Sequence, residues 1–279
     1  FRVCEELRGG TYTSLTGTKR LLGMRRGNPQ IDELRRKGFF NSFDVDYDSD
    51  GRVKIVFTAG GKRVSKYPWE ISSMILKHLH DVICCHYCMS DSQKIDAVIS
   101  VPAYFTHFQR VETIQAGQVA GFNVVKIINE PTAAAIAYEI DSYTSNERLL
   151  VFDFGGGKLD VTVMDMKRSG AQTTFQVLST HGDMSLGGVD FDQVVTRMVL
   201  DEIEGYYPEA FQQYFSTVGK SGKALFVMNR KLQILQRLAK NVKETHLSRM
   251  RDATISLDRL GDRFYEEEII IDHKQFIQR

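Results

Sequence analysis

Apolar residues change their spacing several times along the chain, and each change marks an element. From Asn41 to Tyr67 they alternate with polar residues, broken at Asp50-Gly51 and Gly60-Gly61, which predicts short strands joined by hairpin turns. Pro68-Trp69-Glu70 then opens helical spacing through Ile71, Met74, Ile75, Leu79, Val82 and Ile83, a helix of about 20 residues with proline in its first turn. Ala97–Val101 predicts a buried strand ending at Pro102, and Phe108–Ala120 an amphipathic helix ending near Gly121. Val124–Ile128 reads as a second apolar strand and Thr132–Tyr138 as an Ala-rich helix. After a polar connector at Ser142–Glu147, Leu149–Phe152 is a buried strand, Val161–Met166 the next, Lys167–Gly170 a turn, and Thr173–Ser179 a further strand. Asp190–Tyr206 and Lys231–His246 are helical, while Ala253–Leu257 and Ile269–Ile271 are strands. A short helix is expected at Ile31–Lys37, and residues 1–18 carry no clear period. Strands and helices alternating in two similar halves predict an α/β fold, with its softest boundary near Ser142–Asn146.

Composition narrows the function classes. The 279 residues carry 36 Lys plus Arg against 35 Asp plus Glu, a net charge of +1, so no global field draws the chain to nucleic acid or an anionic membrane. With 42% hydrophobic and 25% charged residues it is an ordinary globular sequence, and no apolar run is long enough to span a bilayer. Three of the four cysteines fall in Cys84-Cys85-His86-Tyr87-Cys88. Cys85, Cys88 and His86 could open a zinc site, but no second Cys/His pair supplies the remaining ligands. The preferred reading continues the helix from Ile71, puts Cys84 and Cys88 on one face, and expects a reducing compartment. Asp46-Tyr47-Asp48-Ser49-Asp50-Gly51 imitates a calcium loop, yet its twelfth position is Phe57 where a bidentate Glu is needed, so a hairpin is expected.

The chemistry gathers around Leu149-Leu150-Val151-Phe152-Asp153-Phe154-Gly155-Gly156-Gly157-Lys158-Leu159-Asp160. A strand delivers a carboxylate and then three glycines, whose missing Cβ atoms let backbone N–H groups close on phosphate oxygens. Asp160, two residues past Lys158, points to the same side as that lysine if the next strand has begun. Two carboxylates beside a phosphate loop suit a hydrated Mg²⁺. The loop is neither a Walker A motif nor a G-x-G-x-x-G fingerprint, and alone it could be a tight hairpin with an aspartate cap. Gly187-Gly188 before Asp190 is an anion-binding helix start or a plain capped turn. Glu130 is a dipole-favoured neighbour of a helix start or faces Mg²⁺.

Four stretches occur in order and in register: Val101–Phe105, Ile127–Tyr138 (IINEPTAAAIAY), Asp153–Val161 (DFGGGKLDV) and Gly182–Asp192 (GDMSLGGVDFD). Together they resemble the ATPase domain of the heat-shock protein 70 chaperone family, from about Thr18 to the C-terminus; Glu70–Met74 and Ala253–Tyr265 add to the likeness. The resemblance implies an actin-like, ribonuclease H-like α/β fold, with residues 1–145 and 146–279 as partial lobes around ATP or ADP and Mg²⁺. It implies that Lys19 orients water and phosphate, that Glu130 and Asp153 hold Mg²⁺ through water, and that Asp160 lies near the attacking water. Gly155, Gly156, Gly157 and Lys158 would form a phosphate loop, with Gly187 and Gly188 a further nucleotide-side turn. Asn241, Glu244, Thr245 and Ser248 would occupy the adenosine helix. Pro102, Tyr104, Arg110 and Pro131 would relay nucleotide state.

The departures shape the expectation too. The family's opening Asp-x-Gly-Thr-Thr loop would precede Phe1, so the chain is expected to start inside the first lobe and stop inside the second. Lys158 replaces the family's Thr, where it could bind γ-phosphate or fill the Mg²⁺ place. On the adenosine helix the family carries Glu, Lys, Arg and Ser, and only Ser248 agrees. J-domain cochaperones and nucleotide-exchange factors are the implied partners, with a cytoplasmic setting and no nucleic acid, membrane or client peptide. Two functions follow: the ATPase part of a folding chaperone, or a divergent, weakly active or inactive structural or regulatory module.

Overall fold

A computed structural model of the protein describes residues 15, 17–37, 39–40, 43–139, 146–169, 172–216, 222–264 and 266–279. Cys4, Gly9-Gly10 and most of the connector expected from Ser142 lie outside the described residues. The backbone divides into two compact units, Phe1–Ser185 and Leu186–Arg279. The soft boundary read from sequence near Ser142–Asn146 falls inside the first.

In the first unit a 3-10 turn at Thr18–Leu21 precedes α1 (Pro29–Arg36). Helix α1 begins where the Asn28 side chain accepts the Gln30 N–H at 3.0 Å and Pro29 fits the first turn. Strands β1 (Asp44–Tyr47), β2 (Val53–Ala59) and β3 (Lys62–Lys66) form an antiparallel meander, so the Asp48–Gly51 turn is a hairpin connection. Leu21, Ile31, Leu34, Val53, Ile55 and Ile71 pack into one core beneath it.

Helix α2 (Pro68–His86) starts where Glu70 accepts the Tyr67 N–H at 2.7 Å. It stops earlier than its apolar spacing suggests: Cys88 takes a left-handed φ of 54°, so only Cys84 is buried and Cys88 lies exposed beyond the end. The expected shared face of Cys84 and Cys88 is therefore corrected. Among the described residues no Cys/His group converges as metal ligands would.

Strand β4 (Ile95–Val101), α3 (His107–Val119) and β5 (Phe122–Asn129) make a parallel βαβ unit. Gly117 lets α3 lie close on that sheet: a Cβ there would stand 2.6 Å from Val124 Cγ2 and 2.8 Å from Ile99 Cδ1. Helix α4 (Glu130–Glu139) leads to a second meander of β6 (Asn146–Phe154), β7 (Leu159–Ser169) and β8 (Gln172–Asp183). Strand β7 runs through Lys167–Ser169, where a turn was expected, because Lys167 and Arg168 pair with Thr174 and Thr173.

The apolar runs Ala97–Val101 and Leu149–Phe152 predict that β4 and β6 are buried strands. Both instead alternate, with Val98, Leu150 and Phe152 exposed, since among the described residues only one face of each is covered.

The second unit contains α5 (Gly188–Tyr206), α6 (Pro208–Tyr214), α7 (Gly222–Thr245), the hairpin β9 (Ala253–Ser256) and β10 (Glu268–Ile271), and α8 (His273–Gln278). Its core draws on Val195, Val199, Ile203, Leu235, Leu257 and Phe264. No helix of the described residues is long and apolar enough to cross a membrane.

Candidate functional site

The parallel strands of the first unit end side by side, Val101 opposite Asn129, and their carboxyl ends carry the site as open α/β sheets do. Beyond β5, Glu130 is the first residue of α4, so its carboxylate lies at a helix N-terminus. Beyond β4, Arg110 ties down the Pro102–Phe105 turn: its Nη2 donates to Ala103 O at 3.0 Å and to Asn129 Oδ1 at 2.9 Å, and its Nε to Phe105 O at 3.0 Å. Tyr104, held in that turn, donates its hydroxyl to Leu159 O at 2.5 Å. Burial, and then the negative charge of Asp183, Asp153 and Glu130, push that hydroxyl up to about 12, so it stays a donor. Pro131 is buried in the first turn of α4.

The β6–β7 hairpin closes on the same place. Asp153 pairs directly across the ladder with Asp160, which puts both carboxylates on one face, and Gly155 N–H donates to Lys158 O at 3.1 Å across the turn. The capped-hairpin reading of D-x-G-G-G is thus right about the backbone. It does not account for the glycines. None of Gly155, Gly156 and Gly157 has positive φ, and a Cβ on any of them would meet nothing closer than 3.7 Å. Gly182 differs, since a Cβ there would collide with the Tyr104 hydroxyl and Leu159 O. The triple glycine leaves bare backbone facing open space.

Glu130, Asp153 and Asp160 each offer a carboxylate oxygen within 4.8 Å of the others. Like charges that close repel by roughly 4 kcal/mol per pair at an effective dielectric near 20, so the cluster demands cations. Lys19 supplies one from the rim, its Nζ 2.9 Å from Glu130 Oε1. Lys158 supplies the other from within: its Nζ is ion-paired with Glu130, with Asp160, and with Asp153 at 3.3 Å. Burial works against the charge of Glu130, but Lys19 and Lys158 outweigh it and hold the carboxyl below its usual range. Asp160 is fully buried, and among the described residues its Oδ1 accepts no hydrogen bond.

The first unit therefore brings together Lys19, Glu130, Asp153, Lys158, Asp160, the three glycines and Tyr104. Sequence reasoning missed Arg20, which is buried, donates from Nε to Gly157 O at 2.9 Å and lies over the Phe39 ring at 4.2 Å. Its only signal was its place beside Lys19.

The remaining expected residues lie in the second unit. Gly187 N–H is capped by Asp190 Oδ2 at 2.8 Å, and Gly188 O accepts from Lys243 Nζ at 2.7 Å. Asn241, Glu244 and Thr245 on α7, with Ser248 just past it, fall at helical spacing and are all exposed. Thr245 and Ser248 return their hydroxyls to the carbonyls of Asn241 and Glu244.

Comparison with known proteins matches residues 10–257 to the family described as "Hsp70 protein". The "Chaperone protein dnaK" of Thalassiosira pseudonana is 35% identical over 258 residues, covering 90% of this chain and 38% of that protein. Its namesake from Cyanidium caldarium is 38% identical over 190 residues, 68% of this chain and 28% of the relative. That from Trieres chinensis is 42% identical over 162 residues, 58% of this chain and 25% of the relative. The chain thus spans well under half the length of these relatives, and it belongs to the Hsp70 family.

Proposed function

We propose that this chain is the ATP-binding, ATP-hydrolysing part of an Hsp70-type chaperone, an actin-like domain whose lobes are residues 1–145 and 146–279. One observation carries the reading: Lys19, Glu130, Asp153 and Asp160 converge beside three glycines that the hairpin itself does not need. Backbone N–H groups of Gly156 and Gly157 would receive phosphate oxygens, as glycine-rich loops do, with Gly155 closing the turn beside them. Lys19, exposed at the rim, would orient the γ-phosphoryl group and the attacking water and balance charge on the phosphoryl oxygens. Asp160 would accept a hydrogen bond from that water, which attacks phosphorus as the β–γ bridging bond breaks and ADP leaves. The exposed strip Asn241, Glu244, Thr245 and Ser248 would meet adenosine, and Gly187 and Gly188 would form a turn on its phosphate side.

The carboxylate cluster suits Mg²⁺ by donor type, since a hard divalent ion takes oxygen ligands. It does not suit Mg²⁺ together with Lys158, because the ammonium already lies among all three carboxylates. The same observation favours a second reading, a domain that binds nucleotide and turns it over weakly or not at all. In the intact protein, Pro102, Tyr104, Arg110 and Pro131 would pass nucleotide state onward. J-domain cochaperones and nucleotide-exchange factors are the proposed partners, in a reducing, cytoplasm-like compartment that suits the free thiols of Cys84, Cys85 and Cys88.

Titration calorimetry with ATP and ADP, followed by single-turnover hydrolysis, tests the proposal. Binding at micromolar to low millimolar concentration is expected, and Lys19→Ala should retain binding while lowering any turnover by about a hundredfold or more. Absence of both ATP and ADP binding would sink the nucleotide reading. Binding without turnover selects the second reading.

A further inference from the structure

Lys158 has no counterpart in the motif this family carries, and its position is specific. It lies in the hairpin turn, two residues before Asp160 and five after Asp153, so its ammonium returns onto the carboxylates of its own hairpin and onto Glu130 at the start of α4. We propose that Lys158 is a built-in cation: it occupies the place where Glu130, Asp153 and Asp160 would gather a divalent ion, so the site takes its phosphate ligand without Mg²⁺.

Four features support this. Asp160 is fully buried opposite Asp153, and among the described residues Lys158 is the cation paired with it; a buried carboxylate without a partner charge is strongly disfavoured. The ammonium is tethered by a very short loop, so its local concentration far exceeds that of a dilute free ion. Mg²⁺ requires six oxygens in a tight octahedron and keeps most of its waters, which leaves no room for an ammonium touching all three donors. The lysine side chain is only 14% exposed, so it is held in the cluster rather than displayed to solvent. Phosphate oxygens on the Gly156–Gly157 backbone would then meet Lys19 at the rim, while Lys158 neutralises the carboxylates behind them.

The proposal rests on the nucleotide reading only where ATP is the probe, and the test has an arm free of ATP. Mn²⁺ uptake by the chain without nucleotide, read by electron paramagnetic resonance, is compared with Lys158→Thr. Asp252, Asp272 and His273, a second group able to hold an ion, are common to both and cancel in the difference. The variant should bind one Mn²⁺ more than the parent. Lys158→Met, which keeps the stem and loses the charge, repeats the comparison if the threonine variant does not fold.

In the second arm ATP affinity is measured in Mg²⁺ and in EDTA. The parent should bind ATP no more weakly in EDTA than in Mg²⁺, which ties up free ATP in solution. Lys158→Thr should bind ATP roughly ten- to a hundredfold more tightly with Mg²⁺ than without, the range expected for a charge-assisted contact. Equal Mn²⁺ uptake by parent and variant overturns the proposal, as does a tenfold loss of parent ATP affinity in EDTA. If the parent binds no ATP in either condition, the nucleotide reading fails and the Mn²⁺ comparison alone decides this one.

Discussion

Arg20 shapes the glycine hairpin without belonging to it. Its guanidinium is buried over Phe39 and holds the carbonyl of Gly157, the residue before Lys158. Losing that bond leaves a part-buried carbonyl unpaired and frees the turn that aims the ammonium. Arg20→Met keeps the stem and should cost about 2 kcal/mol in urea unfolding, the usual penalty for removing a charged hydrogen-bond partner. A loss under about 0.5 kcal/mol would mean that the hairpin holds itself. Residues at this scale divide cleanly by legibility. Glu130, Asp153, Asp160 and the glycines are readable because each sits in a short contiguous motif, and Lys19 only through the family resemblance. The threefold pairing of Lys158 is not, since it depends on the register that sets Asp153 against Asp160 and on where α4 begins. The contact from Arg20 to Gly157 spans most of the first unit and leaves no local pattern.

Among elements, the βαβ unit matters most, because it sets the ends of β4 and β5 beside one another and so fixes Glu130 against the Tyr104 turn. Its weak point is Gly117, where α3 touches Ile99 and Val124. Gly117→Val would add a branched side chain into that contact. The helix gains slightly in propensity, but overpacking of about 1–3 kcal/mol dominates, so a net loss of stability is expected by urea denaturation. An unchanged midpoint would show that α3 can ride away from the sheet without cost. The long periodic elements were readable from spacing: the meander β1–β3, α2, α3, α5 and the body of α7. Some short ones were readable too, α1, β9 and β10 among them, and others were not. Helices α6 and α8 span too few residues to show a period, and α8 is set by its cap, Asp272 accepting from Lys274 and Gln275 N–H. Apolar content alone also overstated the burial of β4 and β6, because exposure depends on what covers a sheet rather than on the strand.

For the whole molecule, charge balance predicts which unit acid attacks first. Among the described residues of the first unit Glu33, Asp48, Asp81, Glu130, Asp165 and Asp183 are held below their usual carboxyl values, and Glu112 is raised by burial. In the second, Asp252 is lowered by its bonds to His273, while Asp192 is raised because burial outweighs Lys243. A depressed carboxyl stabilises the fold above its unfolded value and loses that contribution as pH falls through its folded value. A raised one does the opposite, regaining stability as it protonates. These lowered carboxyls, Asp48 and Glu130 foremost, make the first unit acid-labile, whereas in the second the shifts of Asp252 and Asp192 oppose one another. Asp48 gives the window its floor: burial opposes its charge, but the Arg52 N–H, the Tyr67 hydroxyl and the Arg52 side chain bring it to about 2. Stability of the first unit should therefore fall progressively from about pH 5 towards pH 2. Hydrogen exchange at pH 7 and near pH 3.5 should show protection lost in β1–β3 before α5 and α7, and Asp48→Asn should lower stability at pH 7 while flattening its pH dependence. If α5 and α7 lose protection first, these carboxylates do not govern acid unfolding.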